Sequence, residues 1–236
     1  LTVKSSPLLN NVDRVDTPPH KIIDAAGYEV WFKQDEKFKV PRANIILRLK
    51  LPMAAQSAKT AAMNKLFVAL VNDSLNEFAY PSGLAGLNFS VNSNSRGIDI
   101  NIEGYNDRQG LLLTRIVETI RKARFDSARF DSVKAELMRN WKNATKASPY
   151  QQLARDVAIM AFSPLWQPHI LREALAPVSL ADFNEFNASL LVNAKAEALF
   201  YGNVYRQEAV KLAALIQNQL LQKKGDVSLP PAQVVK

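Results

Sequence analysis

The stretch "NDSLNEFAYPSGLAGLNFSV", Asn72 to Val91, decides the fold because it joins a predicted helix to a predicted strand. Upstream of it, from about Ser57 to Tyr80, apolar residues recur at the spacing of a helix with one broad buried side. Gly83 and Gly86 then allow the chain to leave the helix with a positive φ and to turn into the strand. A polar cluster closes the helix, and it is a catalytic site, the remnant of one, or an ordinary helix end. Its members are Asn72, Asp73, Asn76 and Glu77.

Two segments alternate apolar and polar residues with the period of two that is typical of half-buried strands. In Ala43–Leu51, isoleucine and leucine fall on one side, while Arg48 and Lys50 fall on the other. In Gly97–Tyr105, three isoleucines alternate with polar and acidic residues. If these two strands are neighbours, the acids of the second face Arg48 and Lys50 of the first. Two more strands are predicted, at Tyr28–Lys33 and at about Ala194–Tyr201.

After the predicted strand at Gly97–Tyr105, several segments of the sequence have the signals of a helix start. Two of them are capping boxes, in which a serine is followed three residues later by Gln or Asp. The order of elements lacks the regular alternation of a doubly wound fold, so it predicts an α+β fold with helices packed on one face of a largely antiparallel sheet. The predicted N-caps are Asn106, Asp126, Ser148 and Ser179, and the last helix is predicted from about Arg206 to Leu221.

The domain organisation follows from where this pattern begins and ends. Residues 1–27 are expected to form an irregular arm or linker, and residues 28–222 a single domain. Residues 223–236 are expected to form a linker towards a following domain. Because it begins at Leu1 without an initiator methionine, in an irregular stretch that contains prolines, the chain is expected to be a piece of something longer.

Composition narrows the classes of function. The 236 residues are 47% hydrophobic, which is enough to bury a core, and no run of about 18 apolar residues could span a bilayer. The absence of cysteine excludes disulfides, thiolate nucleophiles and thiolate metal sites. The net charge of +8 raises the question of nucleic acid, but the basic residues are spread along the chain among acidic ones, which favours an ordinary solvated surface.

The candidate metal ligands and catalytic groups are few. His20 lies beside two prolines and is expected in an exposed loop. His169 has Glu173 four residues later, which makes a half-site at best because a third ligand is lacking. No serine lies in a G-x-S-x-G elbow. The "GLAGL" segment, residues 83–87, matches neither a phosphate loop nor a dinucleotide-binding loop, so its glycines are interpreted as structural.

Four motifs in register resemble the third homologous domain of the pitrilysin and insulin-degrading-enzyme family of zinc metallopeptidases. The resemblance extends from about Tyr28 to about Leu221, nearly the whole chain. The motifs are "WFKQDEKFKVPRANI" (31–45), "NDSLNEFAYPSGLAGL" (72–87), "GYND" (104–107) and "YGN" (201–203).

The resemblance implies that the longer enzyme contains four similar α/β units. These units form two halves that close around a chamber. Only the first unit carries the zinc motif H-x-x-E-H, on a helix that corresponds to about Ser57–Tyr80 here. Because that segment contains no histidine, the resemblance implies no catalytic and no metal-binding residue in this chain. Glu77 could be a leftover acid, but a structural role at the helix end is favoured. Substrate-binding residues are left open.

Two functions from different classes remain at this point. One is a non-catalytic middle domain of a peptide-degrading zinc endopeptidase, which forms part of the chamber wall and supports closure of the two halves. Its partners would be the remaining domains and the peptides in the chamber, and zinc would belong to the parent enzyme rather than to this segment. The other is a stand-alone binding or assembly module with the same fold and no protease activity. The resemblance to bacterial pitrilysin-like members favours the periplasm over the cytoplasm.

Overall fold

The computed structural model describes residues 18–35, 37–38, 40–221 and 233–234. Its centre is a six-stranded sheet with the strand order β1-β2-β7-β3-β5-β4. All pairs are antiparallel except β2 with β7. The strands are β1 (His20–Ala25), β2 (Tyr28–Gln34), β3 (Arg42–Lys50), β4 (Leu87–Asn94), β5 (Gly97–Tyr105) and β7 (Lys195–Gly202), and a separate short pair joins β6 (Phe162–Ser163) to β8 (Gln233–Val234).

Seven α-helices lie in the described part of the chain. Six of them cover one face of the sheet, directly or by packing on one another, whereas the fourth lies mainly against β6. The predicted capping boxes at Ser148 and Ser179 are present, and the Asp126 carboxylate accepts a hydrogen bond from the Arg129 backbone N–H. The helices are α1 (Ala58–Leu84), α2 (Gln109–Arg121), α3 (Ser127–Asn143), α4 (Pro149–Ala161), α5 (Pro168–Leu175), α6 (Leu180–Leu190) and α7 (Arg206–Leu220). The predicted α+β class, with a largely antiparallel sheet, is confirmed.

The core lies between the sheet and these helices. In β3, every second residue from Ala43 to Leu49 is buried, and the residues between them are exposed. The long helix α1 contributes ten buried residues to the core. It is covered by β4 and also by α3, α5 and α6. Phe67, Phe125 and Phe183 are in aromatic contact where these helices meet. This arrangement buries one face of the sheet and leaves the other open.

Three local expectations were wrong. His20 is part of a strand and not of an exposed loop, so the predicted irregular arm of residues 1–27 is ordered at His20–Ala25; residues 1–17 lie outside the described ranges. Asn106 does not cap α2, since it belongs to a short 3₁₀ turn and its side chain is buried. Gly83 lies inside α1, and the positive φ that follows the helix belongs to Gly86 alone.

No helix in the described part of the chain is both long enough and apolar enough to cross a membrane. The predicted linker of residues 223–236 lies outside the described residues, apart from the two residues of β8.

Candidate functional surface on the open face of the sheet

The open face is the side of the sheet that none of the described helices covers, and it is formed by the outward-pointing residues of the strands. The alternation of side chains along each strand produces this face. In β3 and β5 the inward side chains are mostly aliphatic, whereas the outward ones are a mixture of polar, charged and apolar residues. Its central members are Trp31, Asn44, Ile46, Arg48, Asn88, Asn101, Glu103, Glu197 and Leu199.

An apolar row crosses the middle of the open face. Trp31 on β2 pairs with Leu199 on β7, and Leu199 pairs with Ile46 on β3. Trp31 and Ile46 are exposed, and Leu199 between them is half-buried. The Lys21 ammonium lies 5.1 Å from the centre of the Trp31 ring. Because neighbouring strands are about 4.8 Å apart, these three side chains form a continuous apolar strip across three strands.

Paired charges lie along one side of this strip. Arg48 Nε lies 3.6 Å from Asp99 Oδ1, as the neighbouring strands β3 and β5 predict. Lys50 forms its ion pair with Glu197 of β7 rather than with an acid of β5. On the edge strand, the hydrogen bond that Lys21 makes to the Asp24 carboxylate raises the pKa of Lys21. Opposite charges therefore largely neutralise one another on this side of the face.

Side-chain amides lie on the other side of the strip. Asn44, Asn88 and Asn101 line a shallow cleft of about 330 Å³ together with Ser90 and Glu103. A carboxamide carries both a donor and an acceptor, so a row of them can bond to the N–H and C=O groups of an extended peptide in any sequence. The open face thus combines an apolar strip with an amide-lined cleft.

A buried polar cluster fixes one end of the sheet. The Asn203 Nδ2 group donates to Asn106 Oδ1 at 2.9 Å, and the Gln109 Nε2 group donates to the carbonyls of Ala43 and Gly104 at 2.6 and 3.0 Å. All three side chains also line a cleft of about 240 Å³ between α2 and α7. Sequence reasoning missed this cluster, although the "GYND" and "YGN" motifs contain two of its residues.

The polar end of α1 makes contacts with its neighbours. The Asn72 side chain donates to the Val91 carbonyl at 2.8 Å, and Asp73 forms an ion pair with Arg129 of α3. Glu77 Oε1 lies 3.6 Å from a guanidinium nitrogen of Arg115 on α2. These contacts connect the helix end to β4, α3 and α2.

The candidate metal ligands are not brought together. His20 lies on the edge strand β1 with its ring centre 5.5 Å from that of Phe32. His169 and Glu173 are both exposed on α5. Within the described ranges, no three His, Cys, Asp or Glu side chains are grouped so that they could hold a metal ion.

Comparison with known proteins assigns the fold to a family. A family model described as the middle or third domain of peptidase M16 matches residues 1–174. The chain belongs to the peptidase M16 family. The resemblance that the four sequence motifs carry is thereby confirmed as that of an insulinase-family middle domain.

Individual relatives agree with this M16 assignment. Over 96% of its length the chain is 32% identical to insulin-degrading enzyme from Bos taurus, of which it covers 22%. The crystal structure of pitrilysin superposes with a TM-score of 0.79 at 24% identity, covering 86% of this chain and 22% of pitrilysin. The structure of a peptidase M16 inactive domain from Pseudomonas fluorescens shares the fold, with a TM-score of 0.67 at 13% identity, over 92% of this chain and 54% of that one. The chain thus spans about a fifth of the length of the curated relatives it matches.

Proposed function

We propose that this M16 middle domain is a non-catalytic part of a zinc-dependent metalloendopeptidase that degrades peptides. In that role it forms part of the wall of the reaction chamber and supports closure of the two halves of the enzyme. The observation that carries the proposal is the composition of α1. By the family resemblance, this helix takes the place of the zinc-binding helix of the catalytic unit. Residues 58–84 contain no histidine, and the acids Asp73 and Glu77 are paired with arginines.

Zinc itself does not fit the residues that the structure describes. Two histidines on separate elements, one of them packed against Phe32, offer no set of three ligands. The metal would belong to another unit of the longer protein, where it would activate the hydrolytic water.

The open face is the surface that suits a chamber wall. Its strip of Trp31, Leu199 and Ile46 offers apolar contact, and its amide cleft offers hydrogen bonds that do not depend on peptide sequence. A peptidase that accepts many peptides requires such a surface, since it must bind extended chains without selecting one sequence.

The test compares the 236-residue chain with the full-length protein that contains it. Zinc content by atomic absorption and cleavage of a quenched fluorescent peptide are measured on both, with and without a chelator. The expected result is stoichiometric zinc and chelator-sensitive cleavage in the full-length protein alone. Chelator-sensitive cleavage by the 236-residue chain would overturn the proposal, and zinc in neither protein would favour the assembly-module function.

A further inference from the structure

The cleft of about 240 Å³ between α2 and α7 has an apolar inner wall. Ile45, Phe200 and Val204 form this wall from the core side, and Leu212 of α7 adds to it. Gly110 of α2 leaves space opposite Leu212, since a Cβ added there would lie 3.4 Å from the Leu212 Cδ2 atom. The volume is below the roughly 300–1,000 Å³ of pockets for drug-sized ligands, so the cleft suits a smaller molecule.

The carboxamide of Gln109 gives the cleft a hydrogen-bond acceptor. This side chain is 3% exposed, and its Nε2 group donates to the carbonyls of Ala43 and Gly104 at 2.6 and 3.0 Å. Its Oε1 atom accepts no hydrogen bond from the part of the chain that the structure describes. Because a largely buried acceptor without a partner is unfavourable, a ligand in the cleft that donates to Oε1 is stabilised by that bond.

Charged side chains of both signs also line this cleft. Asp107 and Glu208 contribute carboxylates, and Lys211 contributes an ammonium group. Glu208 accepts from the Tyr205 backbone N–H, but a carboxylate has about four acceptor positions and can take a further donor. Lys211 is exposed, and no ion-pair partner for it lies among the described residues. These charges complement a molecule that carries both an ammonium and a carboxylate.

We infer that the cleft between α2 and α7 binds a free α-amino acid with an aliphatic side chain. The ammonium donates to the Gln109 oxygen and to the acidic side chains, the carboxylate accepts from Lys211, and the aliphatic group lies on the apolar inner wall. The N-terminus of a peptide fits less well, because it has an amide in place of the carboxylate and leaves Lys211 unused. The inference does not depend on the proposed function, since it requires neither zinc nor the cleavage of a peptide bond.

Isothermal titration calorimetry of the full-length protein with L-leucine tests this binding. Three analogues each lack one group: leucinamide the carboxylate, 4-methylpentanoate the ammonium, and glycine the side chain. L-Leucine should bind, leucinamide about fivefold more weakly, 4-methylpentanoate about tenfold more weakly and glycine at least about twentyfold more weakly. No binding of L-leucine at about 10 mM would overturn the inference. Equal affinities for leucinamide and L-leucine would also overturn it, because the ligand would then be a peptide N-terminus.

Substitutions locate the binding at this cleft. Lys211→Met should weaken the binding of L-leucine about fivefold and leave that of leucinamide unchanged, because only L-leucine has the carboxylate. Gly110→Leu should abolish the binding of L-leucine by filling the cleft, and thermal unfolding should show no loss of stability, since leucine favours a helix more than glycine does. The control Lys122→Met, at the opposite end of α2, should change neither affinity. Full binding by Gly110→Leu, or an equal effect of Lys211→Met on both ligands, would contradict the assignment.

Discussion

Asn203 donates its side-chain hydrogen bond to the side chain of Asn106 across 97 residues of sequence, with 2.9 Å between Nδ2 and Oδ1. The bond connects the end of β7 to the turn that follows β5. The Asn203 backbone N–H also donates to the Arg42 carbonyl at 2.7 Å, at the start of β3. Because β3 lies between β5 and β7, this one residue fixes the same end of three adjacent strands.

Replacing Asn203 by alanine should lower the free energy of unfolding of the 236-residue chain by about 1–3 kcal/mol, because a buried hydrogen-bonding group loses its partner. Urea unfolding followed by circular dichroism measures the change. Asn88→Ala, at an exposed position on the edge strand β4, serves as control and should cost less than about 0.5 kcal/mol. Similar costs at both positions would show that the buried bond contributes nothing specific.

Tyr28 predicts a loss of stability at high pH. Its hydroxyl donates to the Ala213 carbonyl at 2.8 Å, and burial raises the pKa of Tyr28 above its usual value. Above pH ~10 the unfolded chain loses this proton while the folded chain keeps it, so the free energy of unfolding falls as the pH rises further. Tyr28→Phe should cost about 1 kcal/mol at pH 7 and should weaken the fall above pH ~10. Urea unfolding at pH 7 and pH 11 measures the cost of the substitution and the loss of stability at high pH. If the variant lost as much stability at pH 11 as the unsubstituted chain, the loss would not come from Tyr28.

Lys65 should give the free energy of unfolding the opposite dependence on pH. Burial of this side chain on α1 lowers the pKa of Lys65, and no ion-pair partner for it lies among the described residues. Between the lowered pKa and the usual value near 10.5 the unfolded chain binds more protons, so the free energy of unfolding rises with pH in that window. Lys65→Met should therefore stabilise the chain at pH 7 and gain less as the pH approaches about 10. Thermal unfolding from pH 7 to pH 10 measures this trend.

The control for Lys65 is Lys59→Met, on the same helix. Lys59 is exposed and lies 3.7 Å from an Asp182 oxygen, so its substitution should change the free energy of unfolding by less than about 1 kcal/mol. Equal stabilisation by both substitutions would assign the effect to net charge rather than to burial.

The sequence predicts the central strands well because their side chains alternate strictly. The expected contact of Arg48 with an acid of the neighbouring strand is present, at Asp99. The edge strand β1 could not be predicted from this pattern. Two isoleucines, Ile22 and Ile23, are adjacent in this strand, and its register shifts between Lys21 and Ile23, so the period of two is lost.

Contacts between residues far apart in the sequence could not be predicted either. The position of β7 between β2 and β3 depends on pairing across more than 140 residues, which no local pattern encodes. Asn106 has the spacing of a helix cap, but its buried carboxamide accepts from Asn203 instead. The outward orientation of Trp31 and Ile46 was accessible from alternation, whereas their adjacency through Leu199 required the strand order.

If the open face lines the chamber, substitutions in its apolar strip should lower peptide turnover in a protein that still folds. Trp31→Ser combined with Ile46→Ser removes most of the apolar strip from a face that none of the described helices covers. Because both side chains are only 37% exposed, the free energy of unfolding should fall by about 2–4 kcal/mol. In the full-length protein, kcat/KM for a long peptide should fall about tenfold, chiefly through KM, because the strip would contribute binding energy away from the reacting bond. Leu111→Ser, on the helical side, should leave both constants unchanged. Steady-state kinetics on one long and one short peptide measure the effect, and an equal loss for both lengths, or none for the long peptide, would exclude the strip as part of the chamber wall.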